Sequence, residues 1–352
     1  MLNSLSNPQS HGYSQPAEWQ PHSACWLAFP SDRTLWLENL ESAQAEFVDL
    51  VKVIAVSEKV EILVANLETE AIARQLLIGT SANFHSIPYG DIWMRDIAPI
   101  FLTSNTQEIA TVCFTWNGWG HKYLLEHDDQ VAIAISESLK SQNIPTFRFP
   151  WVLEGGAVEV DGMGTCLTTK QCLLNPNRNP ALNQTEIEQG LCQALGVSKI
   201  LWLDEGLIND HTDGHIDTIA RFIAPSRVMC MKSESKDDPN YKILNHISEQ
   251  LKGFTDANSK SLEVIEIPSV GLVLDPDGEI MPASYLNFYI SNGHVIVPTY
   301  DSEFDQKAVE AIAPHFPTRQ TIGLSAKTIL SGGGAFHCIT QQQPIIHSVD
   351  SI

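Results

Sequence analysis

The chain is short of basic residues. Its 352 residues hold 21 Lys and Arg against 42 Asp and Glu, a formal net charge of −21. Such an excess repels nucleic-acid phosphates and anionic membrane surfaces and draws cations in over long range. No nucleic-acid or membrane partner is expected, although solubility alone would also explain the charge. The seven cysteines are Cys25, Cys113, Cys166, Cys172, Cys192, Cys230 and Cys338, an odd number with no CxxC pair. That spacing argues against a disulfide framework and a zinc knuckle. No apolar run is long enough to span a bilayer, and the polar opening MLNSLSNPQSHGYSQPAEW lacks the pattern of a secretory signal. A cytoplasmic setting is expected. What the chain does have is 43% hydrophobic residues, enough to bury a substantial core.

It also has four spaced motifs. IWMRD ends at Asp96, LEGG contains Glu154, DGHID contains His215 and Asp217, and SGGGAFHC ends at Cys338. Asp96 to Glu154 spans 58 residues, Glu154 to His215 spans 61, and His215 to Cys338 spans 123, about two such steps. Even spacing of chemically active groups points to a repeat that donates one group per copy to a common centre.

Periodicity supports such a repeat, read as two strands, a helix and a strand. The first copy covers a hairpin over 98–114, a helix near 128–141 and a strand near 145–149. The second has strands near 156–160 and 165–169, a helix over 184–195 capped by Asn183 or Thr185, and the strand KILWL. The third has strands near 216–223 and 227–232, a helix near 238–252 and the strand LEVIEIP. The fourth pairs LNFYIS with HVIVP through Asn292-Gly293, a hairpin-turn dipeptide, and continues into a helix near 303–313 and RQTIGLS. A last hairpin is expected over 335–340 and 345–349. Its helix and strand would come from the other terminus, where Leu40, Ala43, Phe47, Leu50 and Ile54 form a stripe before VEILVA. The fold class expected is α/β: five β-β-α-β units in one domain over 1–352, closed into a ring by both termini. Closure removes exposed sheet edges. The alternative is an open doubly wound sheet. Each motif would sit at the head of a unit, facing one axis, with His215 and Asp217 on one face of a strand. The fourth unit, at PASYLNFY, offers no obvious catalytic group.

Each residue has a structural explanation as well as a chemical one. A lone Cys is commonly a buried hydrophobe. Cys338 stands out because glycines precede it, allowing close substrate approach, and because DGHID supplies a candidate base. Catalysis by thiol needs a thiolate, hence a positive neighbour or a bound cation. Asp96 and Glu154 taken singly read as turn or ion-pair acids. The ligand-dense run Asp210, His211, Asp213, His215 and Asp217 would also suit a metal, but Thr212, Asp213 and Gly214 make a ligand-bearing helix doubtful. Carboxylates, a His and a thiol together suit a guanidinium, whose planar fork of donors carboxylates hold in pairs.

The motifs AEWQPHSACWLAFP, IWMRD, LEGG, CLLNPNRNP, TDGHID, ASYLNFYISNG and GGGAFHCITQQQP, over residues 17–344, resemble the agmatine deiminases and the related bacterial peptidyl-arginine deiminases of the guanidine-modifying superfamily. The resemblance implies a five-bladed pseudo-symmetric α/β propeller and a cofactor-free hydrolase, with agmatine the first-choice substrate. It implies that Cys338 attacks the guanidinium carbon to form an amidino-thioether. Asp96 and Asp217 would hold the guanidinium nitrogens, His215 would move protons, and Glu154 would hydrogen-bond His215 and orient it. Trp93 and Trp119 would line the pocket, or else belong to the core. No metal or organic cofactor is implied, and the partner is a small cationic guanidino compound, with homo-oligomerisation left open. Two departures stand out. His211 replaces an acid usual in the agmatine enzymes, and Ala335 replaces an Asn of the glycine loop. His211 would suit another tail, such as a carboxylate, so free or peptidyl arginine stay open, as does amidino transfer to an amine. A non-catalytic binding protein and a metallohydrolase are the readings from other classes. Arg178 in NPNRNP reads as a structural turn residue.

Overall fold

The computed structural model describes residues 7–106 and 108–345. Its strands form five sheets. The first contains Tyr13–Ser14, Ile100–Ser104, Ile109–Thr115 and Thr146–Val152; the second Glu159–Val160, Thr165–Thr169 and Lys199–Leu203. The third contains Ala220–Ala224, Arg227–Lys232 and Glu263–Pro268; the fourth Tyr289–Ile290, His294–Thr299 and Gln320–Ser325. The fifth joins Gln341–Pro344 to His22–Ala28, Lys59–Val64 and Ala82–Ser86. In every sheet an antiparallel pair is followed by a parallel neighbour. A parallel neighbour requires a crossover, and a helix supplies it each time: Asp128–Ser138, Gln184–Leu195, Tyr241–Lys252, Asp305–Ile312 and Leu40–Ile54.

The second unit shows how sequence sets an element. The Asn183 side chain accepts from the Glu186 backbone N–H at 3.1 Å, and the Glu186 side chain accepts from Asn183 N–H at 2.9 Å, a reciprocal capping box. Thr185, the other expected cap, lies inside the helix. Ile187, Leu191, Ala194 and Leu195 then recur at helical spacing and are buried, and Gly196 ends the helix at φ 67°. In the fifth unit Leu40, Ala43, Phe47, Leu50 and Ile54 are likewise buried, with Phe47 edge-on to Phe29 at 5.6 Å.

The two chain ends share the fifth sheet, because Gln341–Pro344 pairs antiparallel with His22–Ala28. That sheet also carries a helix, Leu67–Leu76, and a strand, Ala82–Ser86, that the periodicity did not indicate. Strands expected to begin at 98, 156 and 216 begin later, at Ile100, Glu159 and Ala220. The motif residues occupy short helical turns instead: Met94–Ile97, Gly155–Ala157 and Ile216–Thr218. His215 and Asp217 therefore do not share a strand face. The final hairpin is also different: residues 335–340 are irregular and turn-forming, and 346–349 lie outside the described residues. Among the described residues, no helix is long and apolar enough to cross a membrane.

Candidate active site

In each sheet one strand is preceded by a segment carrying one or two site residues. Asp96 precedes Ile100–Ser104, Glu154 precedes Glu159–Val160, and His215 and Asp217 precede Ala220–Ala224. Cys338 precedes Gln341–Pro344. The fourth segment, whose sequence offers no obvious catalytic group, brings Asn287 ahead of Tyr289–Ile290. Its amide donates to Cys338 Sγ at 3.1 Å and to Asp217 Oδ2 at 3.2 Å, and its carbonyl accepts from the Cys338 N–H at 3.2 Å. A neutral amide within an apolar run gives no sequence signal beyond its equivalent place in the repeat.

Gly156 measures the convergence. A Cβ placed there would lie 2.5 Å from His215 Nδ1, 3.0 Å from Asp96 Oδ1 and 3.2 Å from Asp217 Oδ2. No side chain fits between these three groups, so glycine is required by close approach. Gly156 N–H donates to Asp96 Oδ1 at 2.9 Å, and Trp119 Nε1–H donates to Asp96 Oδ2 at 2.8 Å. Trp119 reaches it from a left-handed turn, with φ 51° and ψ 49°. Cys338 Sγ lies 3.6 Å from Asp217 Oδ2.

The electrostatics divide the groups. Burial raises the Asp96 carboxyl, and Asp217 and Glu154 add to the rise against the opposing pull of His215. Asp217 is also desolvated, yet its pKa is lowered, because His337, whose Nδ1 sits 2.7 Å from its Oδ2, together with His215 and Arg221 outweighs burial. His337 continues through Nε2 to Glu18 Oε2 at 2.8 Å, and Glu18 in turn accepts from Arg221 at 2.6 Å. Among the described residues Asp217 Oδ1 has no hydrogen-bond partner, nor has either ring nitrogen of His215, so the hydrogen bond expected between Glu154 and His215 is not formed; His215 Nδ1 lies 3.8 Å from Asp96 Oδ1. Burial alone would lower the His215 pKa. Asp96, Cys172 and Glu154 together outweigh burial and hold His215 well above 6.5. The Cys338 thiol is pushed up by burial and further by Asp217 and Asp96.

Arg178, read from sequence as a turn residue, is part of this site. Its guanidinium donates to Glu154 Oε1 at 2.6 Å, to Asp213 Oδ2 at 2.6 Å and to the Thr212 carbonyl at 2.8 Å. It thereby ties the acid beside His215 to the loop that precedes His215. Glu154, Cys172 and His215 offer ligand atoms within 4.8 Å of one another, a potential metal cluster. The Arg178 charge against Glu154 opposes a divalent cation there. The ligand-dense run does not converge either: Asp213 is paired with Lys122 and Arg178, and His211 stacks on Tyr123 at 5.8 Å.

A cleft of about 330 Å³ leads to Cys338. Trp36, Asp91, Trp93, Asp96, Trp119 and Tyr123 line it, with His211 and Gly332–Gly334. Trp93 and Trp119 are both 6% exposed, so each is a core aromatic and a cleft wall at once. His211 is exposed, with Nδ1 3.1 Å from the Tyr123 hydroxyl.

Residues 14–344 match the Porphyromonas-type peptidyl-arginine deiminase family. A Legionella pneumophila relative is 40% identical over 353 residues, covering 99% of each chain. The agmatine deiminase of Medicago truncatula is 35% identical over 98% of this chain and 100% of its own. The solved agmatine deiminase of Enterococcus faecalis superposes with a TM-score of 0.90 at 33% identity, covering 96% of this chain and 98% of that one. Sequence match, fold and the buried cluster around Cys338 agree: the chain belongs to the agmatine deiminase and Porphyromonas-type peptidyl-arginine deiminase family.

Proposed function

We propose that this protein is a cofactor-free agmatine deiminase, converting agmatine and water to N-carbamoylputrescine and ammonia. The observation that carries the reading is the convergence of Asp96, His215 and Asp217 on Gly156, beside Cys338, at the end of one aromatic cleft. The five sheets are read as blades of a five-bladed propeller, one catalytic domain over 1–352 that both termini complete. Its partner is a small cationic guanidino compound, and its setting is cytoplasmic.

Asp96 and Asp217 hold the guanidinium nitrogens, the second through its unpartnered Oδ1. Burial and the two carboxylates keep Cys338 protonated; a cation brought between the carboxylates offsets their charge and attracts the thiolate, so substrate entry releases the thiol proton to solvent. The thiolate, with Asn287 donating to it, attacks the guanidinium carbon. His215, kept protonated by its acidic neighbours, donates to the departing nitrogen, which leaves as ammonia. A Cys338 amidino-thioether remains. Neutral His215 then takes a proton from water, the hydroxide adds to the same carbon, the C–S bond breaks to return the thiolate, and the hydroxyl proton passes to solvent, leaving the neutral ureido product. Glu154, fixed by Arg178, orients His215.

The tail favours agmatine. No Lys or Arg lines the cleft among the described residues. An α-carboxylate would meet only His211 as a candidate counter-charge, and desolvating an unpaired carboxylate is costly. Ammonia release across agmatine, free arginine and peptidyl-arginine tests this. Agmatine should lead free arginine by roughly 100-fold in kcat/KM, and equal rates would overturn the assignment.

A further inference from the structure

The cleft's outer wall holds a buried acid that the reaction does not use. Asp91 is 8% exposed. Its Oδ1 accepts from Trp36 Nε1–H at 3.0 Å and its Oδ2 accepts from Trp93 Nε1–H at 2.8 Å. Burial pushes its carboxyl up to about 6, which leaves it ionised at neutral pH. The two indoles stack with centroids 6.4 Å apart and planes 27° off parallel. Behind Asp91, Asp128 Oδ1 accepts from the Gly90 N–H at 2.7 Å and fixes the loop.

The glycine run orders this wall relative to the nucleophile. A Cβ on Gly334 would lie 2.8 Å from the Trp93 ring and 3.0 Å from Cys338 Sγ. A Cβ on Gly332 would lie 2.7 Å from Trp93 and 3.0 Å from Trp36. Trp93 therefore stands beside Cys338 and Trp36 one step farther out. A substrate anchored by its guanidinium carries its tail along that pair. The other aromatic lining residues, Trp119, Tyr123 and His211, offer no carboxylate. Asp96 is engaged at the guanidinium end, so Asp91 is the remaining acid lining the cleft.

We infer that Asp91 determines specificity as a positioning residue: its grip on Trp36 and Trp93 makes that wall a binding face for the substrate's distal ammonium. The inference rests on the proposed agmatine reaction. An indole face attracts a cation through its quadrupole. Donating N–H to an ionised carboxylate enriches the ring in electron density, and the carboxylate adds its own attraction in a poorly solvated site. Such a wall selects a charged tail without presenting a free carboxylate.

The test compares kcat/KM for agmatine with that for n-pentylguanidine, in which a methyl replaces the ammonium. In Asp91→Asn the agmatine-to-pentylguanidine ratio should fall about tenfold. Trp36→Phe keeps an aromatic ring but loses the indole N–H, and its ratio should fall by a few-fold, which decides the matter if Asp91→Asn does not fold. A merely structural role would slow both substrates equally and leave the ratio unchanged. An unchanged ratio in both variants overturns the inference. Wild-type protein that releases no ammonia from agmatine would instead overturn the reaction beneath it.

Discussion

Asp217→Asn should make Cys338 more reactive while making the enzyme less active. Cys338 Sγ lies 3.6 Å from Asp217 Oδ2, and that carboxylate is one of the charges that hold the thiol up. Two unit charges at this distance repel by about 4–5 kcal/mol at an effective dielectric near 20. Neighbours offset part of it: His337 sits 2.7 Å from the same oxygen, and Asn287 donates to the sulfur at 3.1 Å. If about half survives, removing the charge enlarges the thiolate population at pH 8 by roughly 30-fold or more. A thiolate of lower basicity is also a weaker nucleophile, which leaves a net gain of roughly fivefold. The assay is iodoacetamide alkylation in the absence of substrate, followed on the Cys338 peptide by mass spectrometry. Turnover should move the other way, because the guanidinium loses one of its two carboxylates. An alkylation rate in Asp217→Asn equal to or below wild type would refute the electrostatic reasoning.

Arg178→Gln breaks a fully buried pair and strands Glu154, so it should cost about 3–5 kcal/mol in denaturant unfolding and lower kcat as well; an unchanged midpoint would refute the role given to the pair. Asp128 is pushed up to about 7 by burial, and among the described residues its Oδ2 has no hydrogen-bond partner. Its folded form binds a proton more tightly than the unfolded chain, whose Asp titrates near 4. Its stabilisation is therefore complete below about 4 and lost as pH rises through about 7. Asp128→Asn should raise thermal stability by about 1–3 kcal/mol at pH 8 and have little effect near pH 4; the same effect at both would contradict the assignment.

Helices with caps and stripes were legible in the sequence. Asn183 with Glu186 marks a helix start, and Leu40 through Ile54 marks a buried face, because both signals are local. The motif residues were legible as a set, because repetition spaces them evenly. Their local conformation was not. His215 and Asp217 sit two apart, which fits a strand, yet Asp213 at φ 65° and Gly214 at φ 82° turn the chain just before them. Asn287 and Arg178 carry no local signal of their roles, because their partners lie 51 residues away at Cys338 and 24 away at Glu154. Neither contact leaves a mark within one motif. The strand Ala82–Ser86 lies half-exposed at a sheet edge, so it carries no strong hydrophobic alternation to read.

The covalent role of Cys338 is the central claim, and acid quench of the working enzyme tests it most directly. Protein mixed with agmatine and stopped within a turnover should carry an amidino adduct on the Cys338 peptide, bearing the substrate's tail after loss of ammonia. Cys338→Ser should carry none, release no ammonia and keep its fold by circular dichroism. Full turnover with no adduct at Cys338, or turnover that survives Cys338→Ser, would contradict the account.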